Sequence, residues 1–127
     1  MDERSSVIQI GGREYELLLT TRATKQIAKR YGGLEQLGDR LMKAENFDQA
    51  IDEFCWLIMV LANQPIMIHN LWHPEDTKPL LTEEAVELLT SPLDLAEYKN
   101  AIMGAMLKGT ARNIAGETDE TKNAAGA

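Results

Sequence analysis

The run Phe54–Ala62, FCWLIMVLA, constrains the fold of this chain more than any other stretch. It carries no charge, and the Trp56 indole is its one strong hydrogen-bonding side chain. The approach to it from Asn46 repeats apolar residues at helical spacing, with acidic residues near the positive end of the helix dipole. A helix that begins amphipathic and becomes apolar all round must be surrounded, by its own domain or by a partner.

We therefore predict a central helix from Asn46 to Asn63 in a soluble bundle. Pro65 is expected to interrupt it, because proline lacks a backbone donor and disfavours a helical conformation at Gln64. Residues 66–72 are a candidate continuation after a kink, and Pro74 stops the helix. The apolar run is too short for a membrane span, which takes about 20 apolar residues.

A β-hairpin is predicted over Val7–Leu19, VIQIGGREYELLL. The Gly11-Gly12 pair suits a two-residue type I′ turn, which needs positive φ at both central positions. In that register Ile10 faces Arg13 and Ile8 faces Tyr15. One face then holds Ile8, Ile10, Tyr15, Leu17 and Leu19, and the other holds Gln9, Glu14 and Glu16. A lone hairpin is marginal in water, so it must lie on helices or be extended by strands of another chain.

Capping signals predict the other helices. They run from Thr20-Thr21 to Tyr31 before Gly32-Gly33, from Leu34 to Ala44, over EEAVELL after Thr82, and from Ser91-Pro92 to Asn113. The fold class is mainly α, within α+β: an N-terminal β-hairpin followed by a bundle of about four to five helices. We predict a flexible N-terminus at 1–6, a single domain at 7–115 and a disordered tail at 116–127, whose polar sequence buries too little apolar surface.

Charge and cysteine usage restrict the class of protein. The net charge of -7 speaks against nucleic acid, whose binding relies on clustered basic residues. Cys55 lies inside the apolar run and indicates a buried thiol, with a raised pKa, in a reducing compartment. The start MDERSS is charged and lacks a long apolar region, so the expected location is the cytoplasm.

No catalytic constellation is visible in the sequence. His69 and His73 share a helical face near Glu75 and Asp76, but a zinc site needs a third ligand and a defined second shell. The glycine pairs lack the spacing of phosphate-binding loops. We predict a protein that is not an enzyme, without cofactor or metal.

Two helices offer candidate binding surfaces. The row Arg22, Lys25, Lys29 and Arg30 is either a solvated face or a docking patch for an acidic partner. In the last helix, one apolar stripe holds Leu95, Tyr98, Ile102 and Met106, and a second holds Met103 and Leu107. Such stripes normally pack inside, although flexible thioethers also suit a surface that accepts several apolar sequences. The predicted partner-binding residues are Tyr98, Ile102, Met103, Gly104, Met106 and Leu107.

Three stretches together resemble the tail assembly chaperones of long-tailed phages and prophages. They are IGGREYELLLTTRATKQIAKRYGGLEQLGDRL, FDQAIDEFCWLIMVLANQ and LLTEEAVELLTSPLDLAEYKNAIMGAMLKGTARNI, and the resemblance covers Val7 to Ile114. It implies a small helical protein of the bacterial cytoplasm that keeps the tape measure protein soluble until tail tube subunits polymerise around it. The tail tube protein is thus a second candidate partner. The family has no catalytic residues to carry over.

Other hypotheses stay open at this stage. The chain is alternatively a small structural tail or connector protein, such as a tail-completion subunit, which would persist in purified particles. A helical DNA-binding regulator is a third hypothesis, against which the acidic balance speaks. We also predict self-association into at least a dimer, because the central helix exceeds what one hairpin and short helices cover. No contact with nucleic acid or with a membrane is expected.

Overall fold

A computed structural model describes residues 5–33, 35–37, 39 and 47–108 of the chain. The described part is mainly helical, with an antiparallel hairpin at its N-terminal end, as predicted. Its strands are β1 (Ser5–Ile10) and β2 (Arg13–Leu18), and its helices are α1 (Thr21–Tyr31), α2 (Phe47–Trp72), α3 (Glu83–Leu89) and α4 (92–108). Residues 35–37 and 39 are also helical, in the region of the predicted second helix.

The hairpin has the predicted turn and register. Gly11 and Gly12 both have positive φ, 57° and 81°, and Ile8 pairs with Tyr15 across the strands. Strand β1 begins at Ser5 rather than Val7, because Ser5 pairs with Leu18 and continues the ladder. Leu18 is buried although it points away from the predicted apolar face, so this end of the hairpin is covered on both sides.

Helix α1 begins and ends at the predicted caps. The Thr20 hydroxyl accepts a hydrogen bond from the Ala23 amide at 3.1 Å, which satisfies one donor of the first turn. At the other end Gly32 has a φ of 98° and donates to the carbonyl of Ala28 at 2.7 Å. Ala23 and Ile27 are buried and hold the helix against the core.

Helix α2 is continuous through Pro65, and the predicted interruption at 63–65 is wrong. Proline costs a helix interior about 3 kcal/mol, because it removes one backbone hydrogen bond and crowds the preceding turn. The side chain before it is tightly held: Gln64 donates to the carbonyl of Val60 at 2.8 Å and accepts from the Thr20 hydroxyl at 2.6 Å. We infer that contacts of this kind outweigh the local preference of the proline.

The length of α2 also corrects the sequence argument about membranes. The helix has 26 residues, and its stretch Ile51–Trp72 is long and apolar enough to cross a membrane by length and composition. Half of its most apolar window is buried inside the protein. The cytoplasmic location therefore stays a prediction.

The connector between α2 and α3 is held along the helix by two asparagine side chains. The Asn63 amide donates to the Leu81 carbonyl at 2.8 Å, and its oxygen accepts from the Leu81 amide at 2.7 Å. Two turns later Asn70 makes the same pair of bonds with Lys78, at 3.0 and 2.8 Å. We call these two arrangements the amide clamps. They fix one face of the carboxy-terminal part of α2 against the connector.

Capping also sets the starts of α3 and α4. The Thr82 hydroxyl accepts from the Ala85 amide at 3.0 Å. Ser91 and Asp94 form a reciprocal capping box, with bonds of 2.9 and 3.3 Å. Helix α4 is helical as far as residue 108, and the predicted end at Asn113 and the predicted tail at 116–127 lie outside the described residues.

The core surrounds the middle of α2. Phe54, Leu57, Ile58 and Leu61 are buried, as expected for a helix that is apolar all round. Cys55, Val60 and Ala62 on α2 and Leu81 in the connector belong to the same core. The rest of the chain adds Ile8, Ile10, Leu17, Leu19, Ala23, Ile27, Leu37, Val86, Leu95, Tyr98, Ile102, Ala105 and Met106. Leu34 and residues 40–44 of the predicted second helix lie outside the described residues.

Candidate functional site

The partner-binding residues predicted on α4 divide into core and surface. Tyr98, Ile102 and Met106 are buried, and Met103 is half-buried against the same core. Leu107 is 65% exposed. The first stripe of the helix therefore belongs to the core, which is the interpretation that its helical spacing favoured. On the surface of α4, Leu107 and part of Met103 stay accessible to a partner.

Gly104 and Tyr98 connect α4 to the hairpin. A Cβ atom at Gly104 would lie 3.1 Å from the Ser6 hydroxyl oxygen, so its close approach is to β1. The Tyr98 hydroxyl donates a hydrogen bond to the Gln9 carbonyl. Burial raises the pKa of Tyr98, with smaller contributions from Asp94 and Glu97. These contacts assign both residues a structural role in this conformation.

Cys55 is buried in α2, as predicted. Burial raises the pKa of its thiol from 9.0 to about 11, and the nearby Glu87, Glu83 and Asp52 add to the increase. A thiol with such a pKa is protonated at neutral pH, and the protonated form is a poor nucleophile.

We expect the Cys55 thiol to make the folded state less stable at alkaline pH. Its pKa is higher in the folded state than in the unfolded chain, so its contribution is complete below pH 9 and is lost as the pH rises toward 11. Urea titrations at about pH 8 and about pH 10.5 should show a larger loss for the wild type than for Cys55→Ala. Tyr98 is present in both proteins and cancels in the comparison. Equal losses would contradict the prediction.

The two histidines form a stacked pair at the end of α2. The ring centroids of His69 and His73 are 4.7 Å apart, and His69 Nε2 lies 2.9 Å from the Asp76 carbonyl oxygen. Within the described residues no group of three or more potential metal ligands comes together. The pair is explained by its contacts with the connector.

The basic row on α1 separates into two parts. The Arg30 guanidinium lies 4.5 Å from the centroid of the Trp56 ring and 3.8 Å from the Glu53 carboxylate, so it belongs to a local cluster with α2. Arg22, Lys25 and Lys29 are exposed, and in the described part of the chain no salt bridge reaches them. Within the described residues, the part of the basic row without a salt bridge therefore consists of Arg22, Lys25 and Lys29, which lie on one side of α1.

The last two turns of α2 carry a group of apolar residues, one half-buried and three exposed, that we call the distal strip. It consists of Met67, Ile68, Leu71 and Trp72, with Leu71 74% and Trp72 73% exposed. The spacing i, i+1, i+4 and i+5 places these residues on one side of the helix. The spacing of these four residues is visible in the sequence. Because an interruption was predicted at Pro65, the distal strip was not recognised as part of the central helix.

A groove of about 360 Å³ runs between the distal strip and the start of α1. Its lining combines the polar residues Thr20, Thr21 and Gln64 with the apolar residues Met67, Ile68 and Leu71, and it also includes Arg22. Arg22 Nη1 lies 3.8 Å from the Met67 sulfur, which ties the basic row to the strip. No acidic side chain is among the described residues that line this groove. The groove is thus concave, partly apolar and bordered by positive charge.

A second exposed apolar region lies at α3 and the start of α4. Leu88 and Leu93 point largely to solvent, whereas Leu89 packs on the hairpin, where its Cδ1 lies 3.3 Å from the position of a Cβ at Gly11. This region has its leucines on two separate helices, and Glu87 and Asp94 are adjacent to them in the chain. We take the distal strip and its groove as the candidate functional site.

No protein-family model, curated protein or solved structure matches this chain. The resemblance to tail assembly chaperones therefore stays a prediction from the sequence. A proposal of function has to draw its support from the surface just described.

Proposed function

We propose that this protein is a phage tail assembly chaperone that keeps the tape measure protein soluble by binding its apolar helical segments at the distal strip. The proposed activity is binding without catalysis in the cytoplasm of the bacterial host, with release of the client to the tail tube protein. The single observation that carries the proposal is the exposure of Leu71 and Trp72, at 74% and 73%, beside a concave groove.

Exposed apolar surface of this kind has a cost in a soluble protein, since it promotes association. Contiguous exposed apolar patches mark binding sites more often than chance placement does. Met67 adds a flexible, polarisable wall, which suits a site that accepts several apolar sequences. The net charge of -7 favours solubility of the complex when a client is bound.

The test is co-expression with fragments of the tape measure protein from the same genome. With the wild-type chain, the soluble fraction of the fragments after centrifugation is expected to rise several-fold over expression alone. Fragments that precipitate to the same extent with and without the chain would refute the proposed function.

Two exposed leucines provide a matched pair of variants. Leu71→Asp places a charge on the distal strip, and Leu107→Asp places one on the surface of α4 that the sequence predicted. Because both side chains are exposed, neither change should unfold the protein, which circular dichroism can verify. We expect Leu71→Asp to abolish the solubilising effect and Leu107→Asp to retain it, because an unpaired charge in an apolar interface is costly. The opposite order would move the client site to α4.

A further inference from the structure

We propose that the segment recognised at the distal strip is an amphipathic helix with acidic residues along one border of its apolar face. The apolar face would pack on Met67, Ile68, Leu71 and Trp72, and the acidic border would face Arg22 and the basic row that continues to Lys25 and Lys29. This inference rests on the proposed chaperone function and adds the chemistry of its client.

Charge complementarity is the main argument. Helix α1 contains four cationic residues and no acidic one, although the whole chain has a net charge of -7. The Arg30 guanidinium contacts Trp56 and Glu53. Arg22, Lys25 and Lys29 form no salt bridge with an acidic side chain among the described residues. A local positive row attracts an acidic segment, whereas two whole chains that each carry a net charge of -7 repel each other.

The placement of Arg22 connects this charge to the apolar site. Its guanidinium contacts the Met67 sulfur and lines the same groove as Ile68 and Leu71. In a docked helix, a carboxylate three or four residues from an apolar contact lies on the same side of that helix. Such a carboxylate can reach Arg22 while the apolar side chains pack in the groove. Apolar packing and the charge contact can therefore be made by one helix at the same time.

The shape of the site favours a helix over a flat membrane surface. Peripheral membrane binding uses a convex amphipathic face that lies on the lipid headgroups. Here Met67, Ile68 and Leu71, together with Arg22, line an open groove of about 360 Å³, within the range of roughly 300–1,000 Å³ typical of binding clefts. Side chains of an entering helix can fill such a groove, as in other helix-in-groove complexes.

The experiment uses the fluorescence of Trp72 in the full chain with Trp56→Phe, which leaves Trp72 as the single tryptophan. Two synthetic peptides share one pattern of leucines at helical spacing, and their apolar face is bordered by glutamates in one and by lysines in the other. We expect the acidic peptide to shift the Trp72 emission to shorter wavelength. The basic peptide should bind at least about fivefold more weakly, given the modest strength of exposed charge pairs.

Charge reversal supplies the decisive variant. Arg22→Glu combined with Lys25→Glu is expected to reverse the order of the two peptides, whereas Arg13→Glu, an exposed change on β2, should leave the order intact. Equal affinity of both peptides for every variant would overturn the inference. The inference would also be overturned if neither peptide bound while the wild type still solubilised tape measure fragments. In that case the proposed chaperone function would survive.

Two other occupants give distinct results. A shift of the Trp72 emission with phosphatidylglycerol vesicles, but with neither peptide, would assign the strip to a membrane surface. A shift that depends on protein concentration without peptide, accompanied by a growing mass in light scattering, would assign it to a second copy. Either result overturns the inference.

Discussion

Replacing Leu57 with alanine is expected to lower the free energy of unfolding by about 2–5 kcal/mol. The Leu57 side chain is 0% exposed in the middle of α2, where the hairpin and the helices converge on it. Removal of its branched end leaves a cavity whose lining loses van der Waals contacts on one side. Denaturant titration followed by circular dichroism measures the change.

Leu88→Ala is the control for this prediction. It deletes the same atoms from a helix but at a largely exposed position, so the change should stay within about 0.5 kcal/mol. A loss below half of one kcal/mol for Leu57→Ala, similar to that of the control, would place Leu57 outside the core.

The second large effect is expected at the buried amide clamp. Asn63→Ala removes both partners of the Leu81 backbone, and each buried polar group left without a hydrogen bond costs about 1–3 kcal/mol. We expect a total loss of about 2–4 kcal/mol in the free energy of unfolding, because the two groups share one site and water can satisfy part of their demand.

Asn70 provides a control with the same bonding pattern in solvent. Its two bonds with Lys78 lie at the surface, where water replaces a lost partner, so Asn70→Ala should cost about 1 kcal/mol or less. If the two variants lose equal free energy of unfolding, burial does not explain the contribution of the Asn63 clamp to stability. Hydrogen exchange of the Leu81 amide gives an independent reading, since its protection should fall only in Asn63→Ala.

Much of the fold was predictable because its signals are local. The Gly11-Gly12 turn sets the hairpin register by its own geometry, and the hydroxyls of Thr20 and Thr82 cap helices within three residues of themselves. The Ser91–Asp94 box is equally short in range. Such interactions depend on neighbours in the chain, so a sequence displays them directly.

The interruption predicted at Pro65 shows where this reasoning stops. A local preference of about 3 kcal/mol against the helix competes with contacts made across the fold. Thr20, 44 positions away, binds Gln64, and Leu81, 18 positions away, binds Asn63. The spacing of apolar residues in the sequence cannot reveal such pairs. We infer that these pairs determine both the length of α2 and the docking of the connector.

The binding site predicted on α4 shows a related limit. A double apolar stripe on α4 shows that two sides of the helix avoid water, but it does not show which neighbour covers them. The structure buries most of it, with contacts from Tyr98 and Gly104 to the hairpin, and Leu107 is left at the surface. The distal strip needed an unbroken α2 to be recognised as a surface. The basic row on α1 was visible from the start, but its proximity to Met67 was not.

The contact between Tyr98 and Gln9 has a consequence for the order of events during translation. The two residues are 89 positions apart, which at 5–20 residues per second corresponds to a delay of roughly 5–20 s between their appearances at the ribosome. Throughout that interval the outer edge of β1 lacks the helix that later lies along it, and a two-stranded hairpin is marginal by itself. A protein proposed to protect another chain from aggregation thus exposes a strand edge of its own until α4 has been synthesised.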